Sequence, residues 1–334
     1  MKPGVYVTFD VECGMGGAWD NPSLRPVPPS RAVMGQYGTR TYGLPLITEI
    51  LAEKGLKATF FVEAFMTEQG HEGQGEVICK YLLDRSQDVQ LHIHPNHEHF
   101  GLKMQGKPYV STDMLAELSE REQRALLEKG RDRIRAWTGR VPVAFRSGNM
   151  SVSESVLEQL SAVGIRIDSS YSFPYAPEGC RLNTGEPYNG SRWYGDVLEL
   201  ALSGFALPKL PGLKAAKPLD LMGVSFEECR NAIRKICGAG ADAVVILHSF
   251  SLFKVRNSQY EGGRPSWIVP RRFQRLCDWL SGHRAEFPTY TFGELSTAIA
   301  ENRYTAKAVP PCQSSVIKAF VRKAVQVVNS IYWV

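Results

Sequence analysis

At 334 residues the chain can hold one large α/β domain, and 43% hydrophobic with 22% charged residues excludes a disordered protein. A formal charge of +5 is too modest to mark a nucleic-acid binder, and no run approaches the ~18 consecutive apolar residues of a membrane-spanning helix. Seven scattered cysteines with no C-x-x-C pair exclude a disulfide framework or zinc knuckle. A core of this size needs neither, so a bound metal is expected to be catalytic.

Val5–Glu12 is a β-rich run that follows Met1-Lys2-Pro3-Gly4 directly, with no apolar signal-peptide core, so the expected compartment is the cytoplasm. Further strands are predicted over Lys57–Glu63, Asp88–His94, Pro142–Ser147, Ile165–Ser170, Val197–Leu202, Ala243–Phe250 and Thr289–Phe292. Amphipathic helical patterns alternate with them. Met114 to Trp137 has apolar positions at helical spacing on a charged background, and Ser151-Val152-Ser153-Glu154 opens a helix that Gly164 ends. Ser225-Phe226-Glu227-Glu228 opens another before Ala232 to Cys237. This alternation predicts a parallel sheet, open or closed into a barrel, with chemistry at the carboxyl ends of its strands. Two long loops, Trp19 to Tyr42 and Phe173 to Tyr194, are candidates for lids or binding loops.

The division expected is a barrel over residues 1–300 and an extension over 301–334. In the extension Val316, Ile317, Phe320, Val321, Ala324, Val325, Val328 and Tyr332 fall on one helical stripe, with Lys318, Arg322 and Lys323 around it and no acidic partner. That pattern fits a terminal helix docked on the barrel or one lying in a membrane interface.

Five clusters can carry chemistry. In Thr8-Phe9-Asp10-Val11-Glu12, the two carboxylates lie two residues apart and share one face at a strand end, where they repel or hold something positive. In Leu91-His92-Ile93-His94-Pro95-Asn96-His97-Glu98-His99, His92 and His94 share a strand face that Pro95 ends, a donor arrangement suited to zinc or a similar divalent ion. Arg146 in Phe145-Arg146-Ser147-Gly148 can pin a carboxylate such as Asp10 in its ionised form. Ile167-Asp168-Ser169-Ser170 is the fourth cluster. His248, in Ile246-Leu247-His248-Ser249, sits at the tip of an apolar strand, a position suited to general acid–base work.

In this order and spacing, and with Gly55-Leu56-Lys57-Ala58-Thr59-Phe60-Phe61-Val62 and Thr138-Gly139-Arg140-Val141-Pro142 between them, the motifs resemble the polysaccharide deacetylases of the NodB-homology type, carbohydrate esterase family 4. The resemblance runs from Thr8 to about Ser251. It implies a distorted (β/α)7 barrel that removes an acetyl or formyl group from an N-acylated amino sugar with Zn2+, or with Co2+, Ni2+ or Mn2+. Carried over by residue, it implies Asp10 as general base, Arg146 as the residue orienting it, His92 as first histidine ligand, His248 as general acid and Asp168 as its charged partner. Two positions depart from the family pattern. Val11 stands where a second aspartate binds metal, which makes Glu12 the substitute ligand. Asn96 stands where the second histidine is expected, which makes His94 the third ligand and His97 the next choice. With a cytoplasmic location, the expected substrate is a nucleotide- or lipid-linked sugar in O-antigen, lipopolysaccharide or other cell-envelope synthesis, with peripheral contact at the inner face of the membrane through the terminal helix. The competing expectations are a metal-free relative acting on a small ureide, and a degenerate sugar-binding module.

Overall fold

A computed structural model describes residues 1–66, 71–176, 179–207 and 215–331. Among these residues seven strands run parallel: β1 (Val5–Val11), β2 (Thr59–Glu63), β3 (Asp88–Ile93), β4 (Ala144–Ser147), β5 (Ile167–Asp168), β6 (Val197–Leu200) and β7 (Ala243–His248). Their spatial order is β7-β1-β2-β3-β4-β5-β6, extended past β6 by antiparallel Asn189–Tyr194 and then Ala308–Val309. Helices α1 (Leu44–Glu53), α2 (Gln74–Leu83), α3 (Pro95–Met104), α4 (Glu120–Thr138), α5 (Glu154–Ala162), α6 (Phe226–Gly238) and α7 (Ile268–Gly282) alternate with the strands. Each burial pattern follows from strand alternation. Val5, Val7, Phe9 and Val11 face the helices, whereas Tyr6 points inward with Phe61, Ala144, Ile167, Leu198, Val244 and Ile246. The inside of the sheet is therefore a filled barrel core rather than a pore.

The barrel closes at a seam. Between β6 and β7, Ser203 N donates to Val244 O at 3.2 Å and Ser203 Oγ accepts from Val244 N at 2.9 Å. Beside it, Ile246 N donates to Leu219 O and Leu219 N to Ser203 O, at 3.1 and 2.7 Å. A hydroxyl thus stands in for part of a strand ladder, which is the distortion in this (β/α)7 barrel.

The expected eighth strand, Thr289–Phe292, is not one. Thr289 makes a single bridge to Val5, and Thr291 caps helix α8 (Phe292–Ala300) through a reciprocal box with Glu294. Such a box contributes about 1 kcal/mol to the helix it opens. Phe292 packs edge-on against Tyr6 and Phe61, 5.4 and 5.1 Å between centroids, so α8 plugs the end of the barrel where the strands begin. The opposite end, where they finish, is left for the site. The helix predicted from Met114 begins at Ser119, which caps α4 after a 3-10 turn over Leu115–Glu117. Of the two predicted loops, the first contains a short helix, Pro29–Ala32, and a hairpin, and the second runs into the Asn189–Tyr194 strand.

Beyond residue 300 the chain stays with the body. Ala308–Val309 joins the sheet, Cys312–Gln313 pairs with Gly204–Ala206, and helix α9 (Val316–Ile331) follows. Tyr332, which completes the predicted apolar stripe, lies outside the described residues. The Ala308–Val309 pairing depends on Gly190, whose φ of +83° and whose absent Cβ, otherwise 2.2 Å from Lys307 O, allow the two backbones to meet. Gly190→Ala is expected to destabilise the fold by at least about 2 kcal/mol, measured by urea unfolding, and an unchanged midpoint would refute this close-approach argument.

Candidate active site

The strand register brings the chemical residues to one end of the barrel. Asp10 lies level with His248 and with Phe61, Glu63 with His92, and His92 with Arg146. Because inward positions recur every second residue, Thr8, Asp10 and Glu12 continue the face of Tyr6, and His248 continues that of Ile246. Asp10, Glu12, His92, His94 and His248 line one pocket of about 260 Å³, walled by Met114, Asn149, Met150, Tyr175, Asp220 and Ile246.

Arg146 is among the largest fully buried side chains. Removing a guanidinium from water costs several kcal/mol unless its donors are matched. Here NH1 donates to Asp10 Oδ1 at 2.6 Å and Thr8 Oγ1 at 3.0 Å, Nε to Ser169 O at 3.0 Å, and NH2 to Ser169 Oγ at 3.2 Å. Its Cζ also lies over the Phe61 ring, 4.1 Å from the centroid. Asp10 is fixed through Oδ1, which leaves Oδ2 as its free acceptor in the pocket.

Glu12, His92 and His94 converge. Glu12 Oε2 is 3.0 Å from His92 Nε2 and 2.7 Å from His94 Nε2, and one donor atom from each residue falls within 4.8 Å of the others. The far nitrogens are held from behind. His92 Nδ1 donates to Arg146 O at 2.7 Å, and His94 Nδ1 donates to Asp113 Oδ2 at 2.8 Å. With Nδ1 carrying the hydrogen, each Nε2 presents a lone pair toward a carboxylate. Three acceptors aimed at one point repel unless a proton or cation sits among them, and a carbonyl and a carboxylate behind the imidazoles are the usual supports of metal-binding histidines. The donor set therefore fits a divalent ion.

Asp113 was not legible as a site residue. It also accepts from Asn96 N at 3.1 Å and Asn149 Nδ2 at 2.7 Å. Asn149 and Met150 hold φ values of 53° and 56°, left-handed backbone in non-glycine residues that face the pocket. Gly148 precedes them because a Cβ there would come within 2.5 Å of the His94 ring. The alternative third ligands are turned to other work. His97 Nε2 donates to Cys13 O at 2.7 Å, and burial brings its pKa down to about 4. Asn96 contributes its backbone N–H to Asp113.

Asp168 is not brought to His248. Ile167 points into the barrel, so its neighbour Asp168 points out, level with Glu199. Asp168 accepts from Ser170 Oγ at 2.7 Å and Ser170 N at 3.2 Å, and burial pushes both its carboxyl and that of Glu199 upward, Glu199 further. The fourth motif serves the site through Ser169, which holds Arg146. The carboxyl that shares the pocket with His248 belongs to Asp220, bridged to Ile246 just after the seam. Burial holds the Asp220 carboxyl above its ordinary value, and His248 only partly offsets that rise. His248 Nδ1 is buried without a hydrogen-bond partner, its ring stacks on Phe250 at 4.9 Å, and Nε2 is 3.8 Å from Glu12 Oε1. Asp220 sits in Leu219-Asp220-Leu221-Met222, a short run without strand or helix periodicity, and so gave no signal beyond its charge.

A family model described as "Polysaccharide deacetylase" matches residues 37–167, which takes in β2 to β4 and the first residue of β5, with His92, His94 and Arg146. No curated protein sequence matches the chain. Among solved structures, a candidate polysaccharide deacetylase from Mycobacterium smegmatis superposes over 93% of each chain at 15% identity, with a TM-score of 0.54. A family 4 carbohydrate esterase from Streptomyces lividans, in complex with acetate, covers 92% of this chain and 98% of its own at 12% identity and 0.45. A pseudoenzyme of the same family from Bacillus anthracis covers 88% and 65% at 17% identity and 0.44. The first of these supports the fold; the other two, with TM-scores below 0.5, add no argument.

The electrostatics of these three side chains set how a bound metal would respond to pH. Burial works to raise Glu12, but His94, His92 and His248 hold it well below its ordinary value of 4.5. Burial works to lower His94, but Glu12 and Asp113 carry it well above 6.5. The lowered Glu12 adds stability above about 4.5 that is lost as pH falls, and the raised His94 adds stability below about 6.5 that is lost as pH rises through its folded value. An incoming ion displaces the His94 proton. Zinc titrated into ion-free protein at pH 7 is therefore expected to release about one proton per ion, seen as a buffer-dependent binding enthalpy, and to bind more weakly at lower pH. Asp113→Ala is expected to cost about 10–100-fold in zinc affinity. Proton-neutral binding, or unchanged affinity in Asp113→Ala, would contradict this assignment.

Proposed function

We propose, for a chain that carries a polysaccharide deacetylase domain, that it hydrolyses the N-acyl amide of an amino sugar with a divalent metal held by Glu12, His92 and His94. The observation that carries this reading is the convergence of those three donors beside Asp10 and His248 in one pocket. A bound Zn2+, Co2+, Ni2+ or Mn2+ would polarise the amide carbonyl and acidify a water molecule. Asp10, positioned by Arg146 through Oδ1, takes the proton of the attacking water on Oδ2. As the C–O bond forms and the C–N bond breaks, His248 delivers a proton to the leaving nitrogen, so the products are the free acid and the sugar amine. Asp220, which shares the pocket with His248 and interacts with it through charge rather than a direct hydrogen bond, takes the place of Asp168 as its charged partner. The apolar walls supplied by Met114, Met150 and Ile246 exclude water, and Tyr175 offers a ring against which a sugar can lie.

For the carrier we propose a nucleotide or lipid phosphate, in cytoplasmic synthesis of O-antigen or another cell-envelope polysaccharide. The basic final segment supports this choice.

Acetate or formate released from N-acylated amino sugars is the deciding measurement. Asp10→Asn is expected to lower kcat by about 10²–10⁴-fold with zinc content unchanged. Hydrolysis that persists after complete chelation would favour the metal-free reading instead, and sugar binding without hydrolysis would favour a binding module. Asp220→Asn is expected to lower kcat at least about tenfold and alter the alkaline side of the pH–rate profile, whereas Asp168→Asn leaves that profile intact. The opposite pattern would restore Asp168 to the role.

A further inference from the structure

Helix α9 is docked the wrong way round for a helix that merely completes a core. Ala319 and Arg322 are buried against the body. Arg322 Nε lies 3.1 Å from both carboxylate oxygens of Glu228 at the start of α6, and its NH1 donates to Gly223 O. On the opposite face Ile317 is 76% exposed, Val321 60% and Phe320 55%, with Ala324 and Val325 exposed beside them. At 100° per residue these five form one stripe. A contiguous apolar face of this kind on a protein surface marks an interaction site.

Charge indicates what covers it. From Asn302 to Val334 the sequence has no Asp or Glu, while Arg303, Lys307, Lys318, Arg322 and Lys323 are all basic. Arg322 is neutralised by Glu228 and Arg303 by Glu301, which leaves the apolar stripe in a segment whose remaining cations are Lys307, Lys318 and Lys323. No described helix is long and apolar enough to cross a membrane. An apolar face with cationic surroundings, on a helix that does not span, matches the headgroup region of an anionic bilayer.

The anchor also contacts the turn that follows Asp220. Gly223 follows Asp220 by three residues in the same turn, and Met222 between them is 42% exposed. Arg272 NH1 holds that turn from α7 by donating to Leu221 O at 2.9 Å. The docked face of α9 is therefore tied to the segment that supplies Asp220 to the pocket.

We propose that α9 lies in the surface of an anionic membrane with Ile317, Phe320 and Val321 inserted, and so holds the pocket beside the lipid headgroups, where it receives an amino sugar on a lipid phosphate. The substrate half of this proposal rests on the deacylase reading above; the docking half does not.

The test is co-sedimentation of the full-length protein with vesicles of phosphatidylglycerol and phosphatidylcholine, or of phosphatidylcholine alone. Binding is expected to the first, at least about tenfold weaker to the second, and reduced by added salt. Phe320→Ser with Val321→Ser is expected to lower binding at least about tenfold while hydrolysis of a small soluble N-acyl sugar stays within about twofold. Val77→Ser, at another exposed apolar position, is expected to change neither. Failure to pellet with anionic vesicles, or undiminished pelleting of the double variant, would overturn the proposal. So would a lipid-free dimer that the double variant splits, because the face would then belong to a second copy. Pelleting without any hydrolysis would support docking and defeat the deacylase reading alone.

Discussion

Arg146 places a guanidinium inside the barrel, directly above its apolar inner layer, and much else is arranged to make that tolerable. Its four hydrogen bonds reach β1 through Thr8 and Asp10, and the end of β5 through Ser169. Its own carbonyl accepts from His92 on β3. One residue thus ties Asp10, a histidine of the candidate metal site and three strands into a single unit. Breaking such a pair by removing one partner typically costs about 3–5 kcal/mol, because the survivor stays buried and charged. The pair is therefore better understood as a device for positioning than as a source of net stability.

A second layer repeats the logic at lower cost. Asp113 restrains His94, the Asn96 backbone and Asn149 together, so the left-handed turn at Asn149 and Met150 is held by the same carboxylate that orients a ligand. Glu63 stands behind it, accepting from Phe65 N at 2.9 Å with its pKa pushed up to about 8 by burial. The three donors are thus backed by Glu63 at the end of β2 and by Asp113, a loop carboxylate fixed by its own hydrogen bonds.

Strand-end chemistry was legible in the sequence because its rule is simple: period two puts Asp10 with Glu12, and His92 with His94, on shared faces. The same rule, applied one residue further, would have rejected Asp168, since Ile167 takes the inward position on that short strand. Asp220 and Asp113 were beyond reach for another reason. Each arrives from an irregular segment whose path is set by tertiary contacts, with no local pattern to say where its carboxyl ends up. Thr289–Phe292 failed differently, because aromatic and β-branched residues outweighed the Thr291–Glu294 capping signal. The terminal stripe was visible as an amphipathic pattern, but only the Arg322–Glu228 pairing reveals which face is outward.

The seam at Ser203 has a consequence for how this site can change. Everywhere else around the barrel, a strand is locked to two neighbours, and altering its length would shift a whole ladder by one side-chain face. Between β6 and β7 the wall is stitched by one hydroxyl and a few backbone bonds, and the segment threaded beside it owes no register to a long ladder. That segment delivers Asp220. The wall's weakest stitch is thus its most editable position, where insertions and substitutions can reshape the approach to His248 while the Arg146 unit across the barrel keeps its geometry.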